Sequence, residues 1–541
     1  MPAAGAAASN PVLLSWRMSF LRVAAAAVLA LPVVPPSSTA PPRPRLVVLI
    51  AVDQLRGDYF KRFEPQLSGG FARFWRDAAF FEQGRQDHAV TETAPGHSTM
   101  LSGRWPAHTG IFNNLFGVTD PTTPLLELKD SGQGASPRNF RGTTLYDWLR
   151  ASDSASRVLS VSRKDRGAIL PVGRSRGDVY WFDHGIFTTS TWYRSEDTLP
   201  GWVREFNATD PVRKLAGSTW SLLLPDSAYT EVDSVPFEAG GGPIKFPHQL
   251  SPNVDAAVLQ IVAFPVMDSL TLAFALRGVE RLRLGQGRAT DLLVVSLSTT
   301  DAVGHAWGPD SRELHDQVLR ADRLLGRFMD SLATVVPREA TIWALTGDHG
   351  ITSMPELASS KGARAGRVWP TDVLNELAQA VGDNQSFGFE DGLLFANVTR
   401  LRSRGVNLDS LATAMAAKVK ALPGVSQVYT PKTLRSASGS DTGAVLWRRT
   451  IPEDIGWLLC ATLESGFVWS PGRVIAEHGS TSLNDQWVPI AFMGPGFVSR
   501  HFTEPVSTTD IAPTLAKVLG VKPSEKLDGH ALTEALAGGG R

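Results

Sequence analysis

The chain has 541 residues, with 53 Lys and Arg against 53 Asp and Glu, so its formal net charge is zero. That length allows a large core and more than one domain, while the even charge argues against a general nucleic-acid binder, which carries a basic excess. Hydrophobic residues at 43% with 15 Trp exclude a disordered chain, and the single cysteine, Cys460, excludes an intramolecular disulfide or a thiolate zinc cluster.

In chain order, residues 1–40 read as an export signal. Arg17 and Arg22 precede the mostly apolar run Val23 to Val34, and Ser38-Thr39-Ala40 fits a small-x-small cleavage site. The run is too short to span a bilayer comfortably, so a periplasmic or secreted protein without a stable membrane anchor is expected. Leu46 to Val52 is apolar without alternation, the pattern of a parallel strand covered on both faces, and it ends at Asp53. Thr93 stands beside a helix start. Pro95 suits the first helical position, and a run from Pro95 to Leu101 stops at Gly103. A helix start presents free N–H groups and a positive dipole end to an anion.

Leu292 to Leu297 runs into Ser298-Thr299-Thr300-Asp301, and Thr341 to Leu345 runs into Thr346-Gly347-Asp348-His349-Gly350. Three apolar strands thus each lead to an aspartate, and ligands of open α/β sheets bind beyond the carboxyl ends of strands. Between the second and third strand a helix is expected over Ser311 to Val335. Leu314, Val318, Ala321, Leu325, Phe328 and Leu332 lie on one face, and Asp310 with Glu313 resembles a capping box. Strand, helix and strand together predict a parallel sheet. The stretches 186–288 and 360–446 fit this scheme poorly and are expected as cap-like insertions, the first with a flexible turn at Ala239 to Pro243. The core is then built from 41–185, 289–359 and 447–541, closing with a strand at Val488 to Gly494 and a helix from Asp510. Asn207-Ala208-Thr209 and Asn397-Val398-Thr399 match glycosylation acceptor patterns.

The candidate metal ligands are Asp53, Asp301, His305, Asp348, His349 and His478. Asp301 and His305 are four apart, so one helical turn aims both at one ion. Carboxylates with imidazoles and no thiolates suit catalytic zinc or a similar divalent ion.

The pieces VDQLRGDYF, TAPGHSTMLSG, HTGIFNN, KDRGAILP, STTDAVGHAWGP, LTGDHG, AEHGS and DIAPTLA resemble the alkaline phosphatase superfamily. Within it, they resemble the phosphate-irrepressible alkaline phosphatases akin to nucleotide pyrophosphatase/phosphodiesterases, over about Leu46 to Leu536. The resemblance implies an α/β fold with a central mostly parallel sheet flanked by helices. It also implies two zinc ions per chain, one held by Asp301, His305 and His478, the other by Asp53, Asp348, His349 and the Thr93 oxygen. Thr93 is then the nucleophile of a phosphothreonine intermediate. Asn114 matches the family's phosphate-contacting asparagine, with Asn113 the neighbour that a one-residue register error selects. Lys164 and Arg166 match a basic pair that favours a monoester dianion over a diester. The Cys/Ser-x-Pro-x-Arg motif of sulfatases is not seen. The expected activity is hydrolysis of small phosphate monoesters with release of phosphate. The alternative is a phosphodiesterase or nucleotide pyrophosphatase using the same site. No nucleic acid is expected as a specific partner, and the sequence leaves the oligomeric state open.

Overall fold

A computed structural model describes residues 43–538 apart from 129–130, 240–241, 384 and 471–474. The expected leader, its cleavage site, and the Gly240-Gly241 centre of the expected flexible turn lie outside the described residues.

Among the described residues a ten-stranded sheet organises the fold. Its strands in chain order are β1 (Leu46–Val52), β2 (Ala79–Arg85), β3 (Val158–Ser162), β4 (Asp178–Asp183), β5 (Ile186–Thr188), β6 (Asp291–Leu297), β7 (Thr341–Gly347), β8 (Trp487–Met493), β9 (Arg500–Phe502) and β10 (Val506–Ser507). The spatial order is β9-β2-β8-β7-β1-β6-β3-β4-β5, with β10 also paired to β2. The run β7-β1-β6-β3-β4 is parallel. β8 is antiparallel to both β7 and β2, and β5 to β4.

The uninterrupted apolar character of β1 follows from burial on both faces. Leu46, Val48, Ile50 and Val52 point into one core, and Val47, Leu49 and Ala51 into the other. The first core is covered by helices Gly70–Asp77, Val266–Leu282 and Arg312–Ala333. The second is covered by Thr93–Met100, Leu145–Ser152 and Ile511–Leu519. All six residues expected on the inner face of the 312–333 helix are buried. The expected Asp310/Glu313 capping box does not form. Ser311 is the N-cap, its oxygen accepting from Leu314 N–H, while Glu313 accepts from buried His248 at 2.8 Å.

The sheet extends further into the chain than the expected insertion boundaries. Ile186–Thr188 is its edge strand, and the 266–282 helix packs Phe274, Ala275 and Val279 into the core. Both lie within the expected insertion 186–288. A second sheet draws on strands inside and beyond the expected insertion 360–446. Strands Phe387–Glu390, Leu393–Ala396, Trp457–Leu463 and Val425–Tyr429 form a separate four-stranded antiparallel sheet in that order. Trp457–Leu463, with Cys460 fully buried, therefore pairs in this second sheet and not in the main sheet, although it lies past the expected boundary at 446. An apolar run marks a buried strand but does not say which sheet it joins. Both acceptor-pattern asparagines are used internally. Asn207 exchanges two hydrogen bonds with the Phe187 backbone, and Asn397 caps a helix at Arg400 N–H.

Glu238, in the first insertion, is only 3% exposed, and its Oε2 has no hydrogen-bond partner among the described residues. Burial, with Glu313 and Asp233 nearby, pushes its pKa from 4.5 up to about 8. The unfolded chain then ionises this group well below the pH at which the folded chain does, so its penalty grows between those two values and is constant above. Glu238→Gln is expected to stabilise the protein, with the gain rising by about 2 kcal/mol between pH 6 and pH 9. Denaturant melts at the two pH values check this; a loss of stability at pH 9 would contradict it.

Candidate active site

The sheet register assembles the site. Val52 stands opposite Leu297 on one side and Gly347 on the other, so Asp53 and Asp348 leave neighbouring strands on one level. After β6 the chain turns into the helix Thr299–Trp307, which carries Asp301 in its first turn and His305 one turn later. β3 ends at Ser162, opposite Ser296, and delivers Lys164 to the same edge. His478 arrives on a loop whose Ser480 carbonyl accepts from Thr91 Oγ1 at 2.9 Å.

Thr93 opens the helix Thr93–Met100, two residues earlier than expected from Pro95. The reason is a tertiary cap. Asn114 Oδ1 accepts from Ala94 N–H at 2.9 Å, while Asn114 N–H donates to Glu92 Oε2 at 2.6 Å. An asparagine far along the chain thus satisfies a helix-start donor that local sequence leaves open. The Asn114 side chain keeps its NH2 group for another acceptor. Asn113 instead accepts from Phe116 N–H and is an ordinary turn residue. The helix packs directly on β7: a Cβ at Gly96 would lie 2.1 Å from the Asp348 carbonyl oxygen.

The donor atoms are set for cations. His305 Nδ1 donates to Ala476 O (2.7 Å), His478 Nδ1 to Thr91 O (2.8 Å) and His349 Nδ1 to Gly350 O (2.9 Å). A carbonyl only accepts, so each ring turns an Nε2 lone pair inward when neutral. His305 Nε2 lies 3.1 Å from His478 Nε2, and Asp301 Oδ1 lies 3.3 and 3.6 Å from the two. Ligands about 2.1 Å from a tetrahedral ion sit about 3.4 Å apart, so this triangle fits zinc. His349 Nε2 lies 3.4 Å from Asp53 Oδ1 and 3.6 Å from Asp348 Oδ2. Asp53 Oδ1 and His349 Nε2 are buried without a hydrogen-bond partner among the described residues. Their geometry also groups Asp301, His349 and His478 closely, and the His349 and His478 rings stack at 3.7 Å. The two triads therefore adjoin.

The charges reflect this crowding. Burial, followed by the Asp301 and Asp348 carboxylates, raises the Asp53 pKa. Burial opposes a charged His349, but Asp348, Asp53 and Asp301 outweigh it and raise its pKa to about 9. Burial and the neighbouring His349 push His478 down to about 3.

Lys164 is 7% exposed, and its Nζ lies 2.5 Å from Asp53 Oδ2, 2.6 Å from Asp301 Oδ2 and 3.1 Å from Thr93 Oγ1. Arg166 stands further out. Its side chain is 29% exposed and lies 3.6 Å from Asp165. His97 is a site residue not singled out from the sequence. It is fully buried, with Nδ1 2.9 Å from Thr93 O and 3.2 Å from Asp348 Oδ2, and Nε2 2.9 Å from Ser296 Oγ. Its spacing four residues after Thr93 was the available signal. The four-stranded sheet reaches the site through Phe395, edge-on to Phe116 at 5.6 Å, beside the Asn114 turn.

The family model for type I phosphodiesterase/nucleotide pyrophosphatase matches residues 47–380. Alkaline phosphatase PhoV of Synechococcus elongatus is 32% identical, over 91% of this chain and 93% of its own length. Alkaline phosphatase PafA of Elizabethkingia meningoseptica is 30% identical, over 92% of this chain and 96% of its own. The crystal structure of alkaline phosphatase PafA superimposes with a TM-score of 0.85 at 28% identity, covering 92% of this chain and 100% of that one. With a central mostly parallel sheet, this sequence kinship and full-length phosphatase relatives, the chain belongs to the alkaline phosphatase superfamily, in its type I phosphodiesterase/nucleotide pyrophosphatase family.

Proposed function

We propose that the protein is an exported, two-zinc phosphate-monoester hydrolase that acts through a phosphothreonine at Thr93 and releases inorganic phosphate. The observation that carries the monoesterase reading is the Lys164 ammonium, 3.1 Å from Thr93 Oγ1. A monoester presents an extra negative charge beside the nucleophile, and a buried cation there favours it over a diester.

Asp301, His305 and His478 would hold one ion, and Asp53, Asp348, His349 and Thr93 the other. Two divalent ions there supply the positive charge that favours the Thr93 alkoxide and takes up charge on the leaving oxygen. The chain's own residues do the rest. Thr93 Oγ1 forms a bond to phosphorus as the ester P–O bond breaks and the alcohol leaves. Asn114 Nδ2 and Lys164 Nζ donate to the remaining phosphoryl oxygens, and the helix start at Thr93 turns its positive dipole end toward them. Water then attacks the phosphothreonine from the side the alcohol left. Phosphate is released, Thr93 is restored, and two displacements give net retention at phosphorus. Small phosphate esters are the substrate class, and residues 1–40 support a periplasmic or secreted location.

The test is kcat/KM for an aryl phosphate monoester and its matched diester, using the zinc-loaded mature protein at alkaline pH. A monoester preference of about 100-fold or more is expected, with activity lost on chelation and restored by zinc. A diester preference would move the function to the phosphodiesterase side of the family while keeping Thr93 and the ligand set.

A further inference from the structure

We infer that Gln54 is a positioning residue that aims the Asp301 ligand oxygen and ties the two triads together; this rests on the metal reading above. Gln54 directly follows Asp53 at the end of β1 and is fully buried. Its φ of +65° is the left-handed region, which a side chain other than glycine's seldom adopts and which marks functional positions when the surroundings enforce it. The conformation serves two contacts. The Gln54 main-chain N–H donates to Asp348 Oδ1 at 2.9 Å, and the side-chain Nε2 donates to Asp301 Oδ1 at 3.0 Å. A carboxylate oxygen only accepts, so the NH2 end of the amide must face Asp301.

That Asp301 oxygen is the one lying 3.3 Å from His305 Nε2 and 3.6 Å from His478 Nε2. The amide thus fixes which way its remaining lone pair points, as partners of metal-binding carboxylates do. The 299–307 helix leaves room for it at Gly304, where a Cβ would lie 1.7 Å from Gln54 Oε1. One residue therefore bridges the ends of β1 and β7 and the helix after β6.

The two contacts make the role separable. The bond to Asp348 comes from the main chain and survives a change of side chain; the bond to Asp301 does not. Gln54→Met keeps length and burial but removes the donor. Gly304→Ala displaces the amide from the other side, and since the atom it meets is the end of a flexible side chain, the fold tolerates it.

The experiment measures equilibrium zinc release from the full chain against a competing chelator. His305→Ala identifies which release step belongs to the Asp301-His305-His478 triad. Both Gln54→Met and Gly304→Ala are expected to weaken that step by about 10–100-fold, leaving the other step within about threefold and thermal stability of the zinc-free chain unchanged. Two unchanged steps, or two equally weakened steps with lowered thermal stability, would overturn the inference, since a merely structural role moves both together. A wild-type chain that binds no zinc would instead overturn the metal reading itself.

Discussion

Thr93→Ala is expected to lower kcat/KM for an aryl phosphate monoester by at least about 10⁴-fold, some 5 kcal/mol of transition-state stabilisation. On the proposed reading the hydroxyl is the atom that attacks phosphorus, and the other hydroxyls of its helix are held elsewhere. Ser98 Oγ bonds Pro95 O and Thr109, and Thr99 Oγ1 bonds Gly96 O, so both are engaged within and behind the helix. Acid quench with labelled substrate should trap phosphoenzyme in wild type and none in Thr93→Ala. Zinc content should stay close to wild type, because Asp53, Asp348 and His349 remain. Thr93→Ser should keep part of the activity and the trapped intermediate. Labelled phosphate held covalently by Thr93→Ala would remove Thr93 from its role.

The second large effect is expected from the basic pair. Lys164→Ala combined with Arg166→Ala should lower monoester kcat/KM by about 10²–10³-fold while changing diester turnover by less than about tenfold. The two positions should not contribute equally. Lys164 is buried against Thr93, whereas Arg166 stands at the partly exposed rim beside Asp165. Surface exposure screens charge, so Arg166→Ala alone should cost the smaller share. Loss of Lys164 also removes the ammonium between Asp53 and Asp301, so the variant should retain zinc. Parallel monoester and diester kinetics decide this. An unchanged ratio would take the pair out of substrate selection.

Much of the site is visible in the sequence because of one local regularity. Strands buried on both faces carry long apolar runs, and Asp53, Asp301 and Asp348 lie at or within a few residues past the ends of such runs. The Asp301–His305 pair is legible for the same kind of reason, since a four-residue step on a helix places both side chains on one face. The amphipathic 312–333 helix follows from its period alone.

What local pattern does not contain is which run pairs with which. Trp457–Leu463 reads like a core strand, yet it joins the separate four-stranded sheet. Trp487–Met493 reads like its parallel neighbours, yet it runs antiparallel between β7 and β2. Strand direction and partner depend on the path of the connections, not on the residues in the strand.

The sequence by itself determined the fold class, the apolar strands and the aspartates beyond them, and through family resemblance it supplied the expectation of two ligand triads. Only the tertiary structure decided their joint geometry. The registers of Val52 with Leu297 and Gly347 bring the aspartates together, and the loop tied to Thr91 adds His478. The same holds for Asn114 over Asn113, for His97 reaching Asp348, and for Gln54 reaching Asp301. Each is a contact across tens to hundreds of residues, made by a short-range polar contact whose partner is chosen by chain path, and no local spacing encodes it.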